Sequence, residues 1–166
     1  YSPFTALDIA GHEIGHGLTD FTADLVYSYE SGALNESFSD ILGTSVEFYG
    51  KPAQANWLIG EDIGVVLRSM ADPKAYGDPD TYLGVNWATG PGDNGGVHTN
   101  SGVQNFWYYL LANGGSGTND NGDSYNITGI GLANAGAIAF RNLTVYLWPN
   151  AQYADARFYA IQSAIE

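Results

Sequence analysis

His12-Glu13-Ile14-Gly15-His16 is the stretch on which the rest of the chain turns. Residues four apart share a face of an α-helix, so the two imidazoles can reach one tetrahedral zinc ion, with Glu13 beside the water position. The chain has three histidines, and two of them stand here, which argues against coincidence. The same face extends back to Asp8, giving a line of Asp8, His12 and His16 along the first helix. That helix is expected to begin near Pro3 to Ala6, since proline suits a first turn. Leu7, Ile14 and Leu18 supply apolar contacts on another side. Gly11, Gly15 and Gly17 each cost about 1 kcal/mol against alanine in a helix, so a closely approaching neighbour is expected.

Residues 19 to 30 read as a connection with extended character, from Phe21, Leu25, Val26, Tyr27 and Tyr29. A second helix opens at 31 to 36 and runs to about Tyr49, stopped by Gly50 and Pro52. Glu36, Asp40, Gly43 and Glu47 fall on one stripe of it. Carboxylates on one helix face repel each other, so cations are expected opposite. With the two helices antiparallel, His16 meets Glu36, His12 meets Asp40 and Asp8 meets Glu47. The first pairing completes a His, His, Glu zinc site with room for water, and the second supplies the carboxylate that orients a ligand imidazole. The third is a separate carboxylate pair. With Glu61-Asp62 nearby, it reads as an oxygen-ligand calcium site of Asp8, Glu47 and Glu61.

Composition agrees with a metal-binding domain. A length of 166 residues suits one core, and 45% hydrophobic content excludes general disorder. A formal charge of -13 excludes nucleic acid and anionic membranes as natural partners and makes divalent cations the natural counter-charge. There is no cysteine, so neither a disulfide nor a thiolate zinc site is possible. No apolar run reaches membrane-spanning length, and the N-terminus lacks the zones of a signal peptide. Both ends read as cut, so the chain is expected to be a fragment of a larger protein.

From 51 to 99 the pattern is irregular, with Asp72-Pro73, Gly77-Asp78-Pro79-Asp80 and Gly90-Pro91-Gly92 as turn signals. Loops this long in a compact domain tend to be functional or tied to metal. This one holds the isolated cation Arg68 and the third histidine, His98. Helices are expected over Ser101 to Ala112, Leu132 to Trp148 and from Ala151 onward, with Phe106, Tyr109, Leu110, Ile138, Val145 and Leu147 as core. Ala154, Phe158, Ile161 and Ile165 form an apolar stripe on the last. The loop at 113 to 124 contains Asn119-Asp120-Asn121-Gly122-Asp123, which lacks the closing Glu of a calcium loop and reads as a solvated turn. Two tripeptides, at Asn126 and Asn142, fit the glycosylation pattern.

Four ordered motifs carry a resemblance: His12-Glu13-Ile14-Gly15-His16; Asn35-Glu36-Ser37-Phe38-Ser39-Asp40; Arg68-Ser69-Met70-Ala71-Asp72-Pro73; and Asp93-Asn94-Gly95-Gly96-Val97-His98-Thr99-Asn100-Ser101-Gly102. Together they resemble the C-terminal helical half of a thermolysin-like neutral zinc metalloprotease. The resemblance implies a mainly α zincin-type lobe over 1–166, with long irregular loops, two antiparallel helices carrying the site, and an N-terminal β-rich lobe and a last helix outside this chain. It implies one catalytic zinc on His12, His16 and Glu36, with Asp40 supporting His12, and Glu13 as general base. Tyr27 and His98 would stabilise an oxyanion, Asp93 would orient His98, and Arg68 would hold the substrate carbonyl. Such donors suit the charge that develops on an attacked peptide carbonyl. Asn35, Ile9, Ile59 and Leu67 would line a pocket for an apolar residue after the cleaved bond. Where some family calcium sites use further carboxylates this chain has Asn56 and Leu58, so one structural calcium is expected at Asp8, Glu47 and Glu61. Protein or peptide substrates and secretion are implied as well. The competing expectation is an isolated lobe that binds zinc and calcium but has little proteolytic activity, because its cleft has only one wall.

Overall fold

The computed structural model of the chain describes residues 6–166, so the expected helix start at Pro3 lies outside the described residues. Helix α1 spans Leu7–Asp20 and α2 spans Tyr29–Gly50. They run antiparallel and almost in backbone contact. A Cβ on Gly11 would lie 2.8 Å from Gly43 Cα, one on Gly43 would lie 2.3 Å from the Asp8 carbonyl oxygen, and one on Gly15 would lie 2.8 Å from Ser39 Cα. The helix-weakening glycines at 11 and 15 are therefore explained by close approach. Gly17 is not, since nothing lies within 4 Å of it.

Helix α2 is buried on every side from Ser31 to Ile41, which is the pattern of a central helix rather than a surface one. The metal-facing stripe of α1 covers one side. The others are covered by α3 (Asp93–Asn100), α4 (Gly102–Asn113), α5 (Leu132–Arg141) and α6 (Tyr153–Ile165). Leu34, Phe38 and Ile41 of α2 share the core with Tyr108, Ala112, Ala135, Ala139, Leu143 and Ala156. The fold class is mainly α. Strand structure among the described residues is limited to two small antiparallel pairs, β1 (Leu58–Ile59) with β2 (Arg68–Ser69), and β3 (Gly115–Thr118) with β4 (Ser124–Ile127).

Several local expectations change. The connection before α2 contains no strand, because the only backbone partner offered to Val26 N–H is the Pro149 carbonyl. Leu25 enters the core while Phe21, Val26, Tyr27 and Tyr29 stand in solvent. The loop expected at 113 to 124 contains strand β3, while Asn119 to Asp123 form the solvated turn expected there, joining β3 to β4 and closed by Asn119 Oδ1 accepting from the N–H groups of Asn121 and Asp123. The single helix expected from Leu132 to Trp148 ends at Arg141 and widens into a π-type turn over Asn142–Tyr146. There the Asn142 amide donates to Ala156 O at 2.9 Å and Thr144 Oγ1 donates to Phe140 O at 2.8 Å, side-chain bonds that compete with the helical ladder. Asn142 is only 1% exposed, so its glycosylation pattern is inaccessible.

On α4 the expected core positions are displaced, and on α6 the apolar stripe does not enter the core. Tyr108 is the fully buried aromatic residue of α4, while Phe106, Tyr109 and Leu110 are partly covered, and Val145 is exposed. On α6 the buried side is Tyr153, Ala156, Ala160 and Ser163, and Phe158, Ile161 and Ile165 face outward. Small side chains let α6 lie close to its neighbours, so packing fit rather than hydropathy chose the inward face.

Candidate metal centre

One turn apart on α1, His12 and His16 point at α2, and Glu36 from α2 points back. Ligand atoms of these three residues lie within 4.8 Å of one another, and among the described residues no other group of three or more His, Asp or Glu is so gathered. The tautomers follow from the outer contacts. His12 Nδ1 lies 2.8 Å from Asp40 Oδ1, an obligate acceptor when ionised. His16 Nδ1 lies 2.7 Å from Asn35 Oδ1, whose amide is fixed because its Nδ2 donates to Leu25 O at 3.1 Å. Both Nδ1 atoms therefore donate, and both Nε2 atoms carry lone pairs. Those lone pairs face each other at 3.0 Å, with Glu36 oxygens 3.5 and 3.4 Å away. Glu36 Oε2 is buried without a donor. Three lone-pair donors converging on one point repel unless a cation or proton lies between them. The donor set, two imidazoles and one carboxylate, fits zinc.

Charge in the surroundings is arranged around Glu36 and Asp40. Burial alone would raise the Glu36 carboxyl, but His16 and the Tyr27 hydroxyl, with His98 and His12, hold it below its ordinary value. In return the Glu36 contact raises His16. Asp40 is completely buried. Burial opposes its charge, yet the Arg68 guanidinium and His12 hold it well below the usual carboxylate range. Arg68 binds Asp40 through a fork, with Nε at 2.9 Å from Oδ2 and an Nη at 2.8 Å from Oδ1. Its nearest approach to Glu36 is 3.9 Å. The guanidinium expected to hold a substrate is thus chiefly engaged behind the ligand His12.

On the open side, the Tyr27 hydroxyl donates to Glu36 Oε1 and lies 3.3 Å from His98 Nε2. Burial, reinforced by Glu36, raises the Tyr27 phenol above its ordinary value and keeps it a donor. Both oxygens of Asp93 bind His98, Oδ1 at 2.6 Å from Nδ1 and Oδ2 at 2.9 Å from the backbone N. His98 is set by an unusual backbone: Asp93, Asn94, Gly95 and Gly96 all take left-handed φ, from 50° to 93°. Glu13 is exposed on α1 next to the ligand pair.

The remaining expected residues are less closely gathered. Ile59 is 1% exposed and belongs to the core, Ile9 is partly buried, and Leu67 is exposed. Asn35 is buried, with its side-chain oxygen on His16. Asp8 Oδ2 accepts from Gly60 N at 2.6 Å, and Glu61 Oε1 accepts from Asn56 Nδ2 at 2.7 Å. Asp8 Oδ1, Glu61 Oε2 and both oxygens of Glu47 are buried without hydrogen-bond donors. Lys51 Nζ stands 2.8 Å from Glu47 Oε1, an ion pair without hydrogen-bond alignment, and also contacts Asp62. An internal ammonium therefore supplies part of the counter-charge expected from a metal.

Three supporting residues, Ser37, Ser39 and Asn105, are given no role in the sequence reading. Ser39 Oγ lies 3.1 Å from His16 Nδ1, and Asn105 Nδ2 donates to Asp40 Oδ2 at 2.8 Å while Ser37 Oγ donates to Asn105 Oδ1. Ser39 was findable as the residue one turn beyond Asn35. Asn105 sits on α4, and no periodicity links it to Asp40.

Comparison with known proteins agrees with this geometry. The chain is 46% identical over 173 aligned residues to a bacillolysin of Bacillus caldolyticus and to a thermolysin of Alicyclobacillus acidocaldarius subsp. acidocaldarius, with all of this chain covered. It is 47% identical over 166 residues to a bacillolysin of Bacillus cereus. The chain spans about 30% of the length of the first two relatives and 28% of the third. Among solved structures, the precursor of protealysin, a metalloproteinase from Serratia proteamaculans, matches 95% of this chain and 50% of its own with a TM-score of 0.73 and 30% identity. The family model described as thermolysin metallopeptidase, alpha-helical domain, matches residues 23–166. The helices, the converging ligand set and this match together place the chain in the thermolysin metallopeptidase family, as its alpha-helical domain.

Proposed function

We propose that this chain is the metal-bearing lobe of a secreted zinc endopeptidase, with His12, His16 and Glu36 as the zinc ligands. The observation that carries the reading is the pair of Nε2 lone pairs facing each other at 3.0 Å beside the Glu36 carboxylate. Bound there, zinc would act as a Lewis acid toward water and a peptide carbonyl. Asp40 and Asn35 hold the two ligand imidazoles in the tautomer the metal needs. Glu13, exposed on the open side and without a hydrogen-bond partner among the described residues, takes a proton from the attacking water and returns it to the departing amine. Tyr27 and His98 offer donors to the oxygen on which negative charge develops, and Asp93 holds the His98 ring. Arg68 acts through Asp40 and, at longer range, toward the substrate carbonyl. Ile9 and Leu67, beside the buried Ile59, favour an apolar residue after the cleaved bond.

A structural calcium on Asp8, Glu47 and Glu61 belongs to the same reading. Its support is the set of buried carboxylate oxygens there without donors, which suit a hard, oxygen-ligated cation. In the protein of which the chain is part, Glu13→Ala should abolish cleavage of a casein-type substrate while leaving zinc content at one per chain. Full activity of that variant would end the proposal. The chain alone spans 30% of its relatives, and this favours a second reading for the isolated lobe: zinc-loaded but with little turnover, because the other wall of the cleft lies elsewhere. Assay and elemental analysis of the 166-residue chain, run together, separate the two.

A further inference from the structure

Asp93 holds His98 through the imidazole Nδ1 and the backbone N, and both bonds lie inside the turn of residues 93 to 98. They fix the ring relative to the turn. They do not fix the turn relative to α2, which carries Glu36, so that placement depends on contacts between the two segments. The Tyr27 hydroxyl lies 3.3 Å from His98 Nε2. A Cβ on Gly32 would lie 2.5 Å from Val97 Cγ1, and Val97 is fully buried. Tyr29, which has no part in the metal centre, makes the third contact. A Cβ on Gly95 would meet nothing nearer than the Tyr29 ring, with Cδ1, Cγ and Cε1 at 2.5, 2.6 and 2.8 Å, so the ring covers the Gly95 main chain.

Two observations set this contact apart from ordinary surface packing. Tyr29 has a φ of 49°, in the left-handed region where a bulky side chain is an outlier. Its neighbours hold it there. The Ser28 carbonyl accepts from Gly32 N at 3.2 Å, and the Glu30 carboxylate accepts from the Tyr82 hydroxyl at 2.8 Å and from Tyr153 N at 3.0 Å. Yet Tyr29 is 54% exposed, so burial alone does not account for a strained aromatic residue at the start of α2. Strain retained without burial is characteristic of functional positions. The second observation is what the ring covers. Gly95 and Gly96, at φ 93° and 80°, stand directly before Val97 and His98, and adjacent glycines are the freest backbone a chain can have. Gly96 is confined by Ala88, whose Cβ would lie 2.5 Å from an added Cβ, and Gly95 by the Tyr29 ring.

We propose that Tyr29 is a positioning residue for His98: its ring restrains the left-handed Gly95 and so holds the imidazole in place on the open side of the metal centre. The inference rests on the reading of His98 as a donor to the oxyanion. Such a donor is effective only when it is already aimed at the place where charge develops, so loosening the turn weakens it without removing it. Tyr29 touches neither metal nor substrate in this role. It acts through the main chain of residues 95 to 98, and the ring rather than the hydroxyl makes the contact.

The test uses Tyr29→Gly, which removes the ring and the strain together, in the protein of which the chain is part. Hydrogen exchange at the amides of residues 95 to 98 should quicken by about tenfold or more, with α5 and α6 unchanged. For a defined peptide substrate, kcat should fall about tenfold with KM within about twofold and zinc content unaltered. Tyr29→Phe keeps the ring and should restore both readouts. In a His98→Ala background, Tyr29→Gly should lower kcat no further, because the two residues act as one unit. Should Tyr29→Gly fail to fold, Tyr29→Ala carries the same expectations. Unchanged exchange at residues 95 to 98, loss in Tyr29→Phe equal to that in Tyr29→Gly, or an equal fall in kcat with and without His98 would each overturn the proposal. Full activity of His98→Ala alone would instead remove the oxyanion reading, and with it the catalytic half of the proposal, while the exchange result still judges whether Tyr29 restrains the turn.

Discussion

Asp40 sits between two donors from sequence-distant segments, accepting from His12 at 2.8 Å on one side and from the Arg68 fork at 2.9 and 2.8 Å on the other. One buried carboxylate thus orients His12 and neutralises a nearly buried guanidinium. Asp40→Asn keeps the shape and removes the charge. We expect zinc affinity to fall 10- to 100-fold. Stability should fall by about 3–5 kcal/mol, because Arg68 is left without its counter-ion. Competitive zinc titration and urea unfolding measure the two effects separately, and an unchanged unfolding midpoint would refute the second.

The helix crossing gives a paired prediction. Gly43→Ala places a Cβ 2.3 Å from the Asp8 carbonyl oxygen, so α1 and α2 must move apart, at a cost of about 1–3 kcal/mol. Gly17→Ala meets open space in a helix and should stabilise by about 0.5–1 kcal/mol. Opposite shifts in melting temperature are the expected result, and shifts of the same sign would contradict the close-crossing explanation.

Asp40 and Asp78 should respond to pH with opposite signs. The Asp40 carboxyl is held below its ordinary value, so its stabilisation is present above about pH 4 and is lost as pH falls further toward its folded value. Burial pushes Asp78 up to about 6. Between about pH 4 and 6 the folded state then holds the extra proton, so stability falls as pH rises through that window. Asp78→Asn should therefore be more stable than the parent at pH 7 by about 1–3 kcal/mol and indistinguishable near pH 4. Urea unfolding at several pH values would show the gap opening between them.

Metal loading should release protons. Glu36 raises His16, so near pH 6 part of the population carries a proton where the lone pair must be. Zinc binding at pH 6 is expected to release more protons than at pH 8 and to be weaker. Calorimetry in buffers of different ionisation enthalpy counts them directly. Stripping the metal should lower the melting temperature, with about 4 kcal/mol lost where free zinc had stood at 1,000 times its dissociation constant.

Much of the centre was legible because ligand chemistry imposes spacing. His12, His16, Glu36 and Asp40 each sit where a four-residue helical step requires, so two stripes could be laid against each other before any coordinates. The third rung of that ladder was less secure. The backbone N–H of Gly60 takes one oxygen of Asp8, and Lys51 approaches Glu47, contacts that arise from an irregular loop with no period. The same holds for Asn105, whose role depends on where α4 crosses α2. On α6 the apolar stripe of Phe158, Ile161 and Ile165 stays outside, while Ala156 and Ala160 face inward. Periodicity reports which residues share a face, and packing decides which face turns inward.

The four left-handed residues before His98 have a bearing on how such a centre could be altered. A Cβ on Gly95 would lie 2.5 Å from the Tyr29 ring, and one on Gly96 would lie 2.5 Å from Ala88 Cβ. Both the handedness and the space reject side chains there. His98 is consequently delivered by the chirality of the main chain rather than by a packed helix. Evolution or engineering that alters this face of the centre has little freedom at the two glycines. Variation is better tolerated where the site meets solvent through ordinary backbone, as at the exposed Leu67.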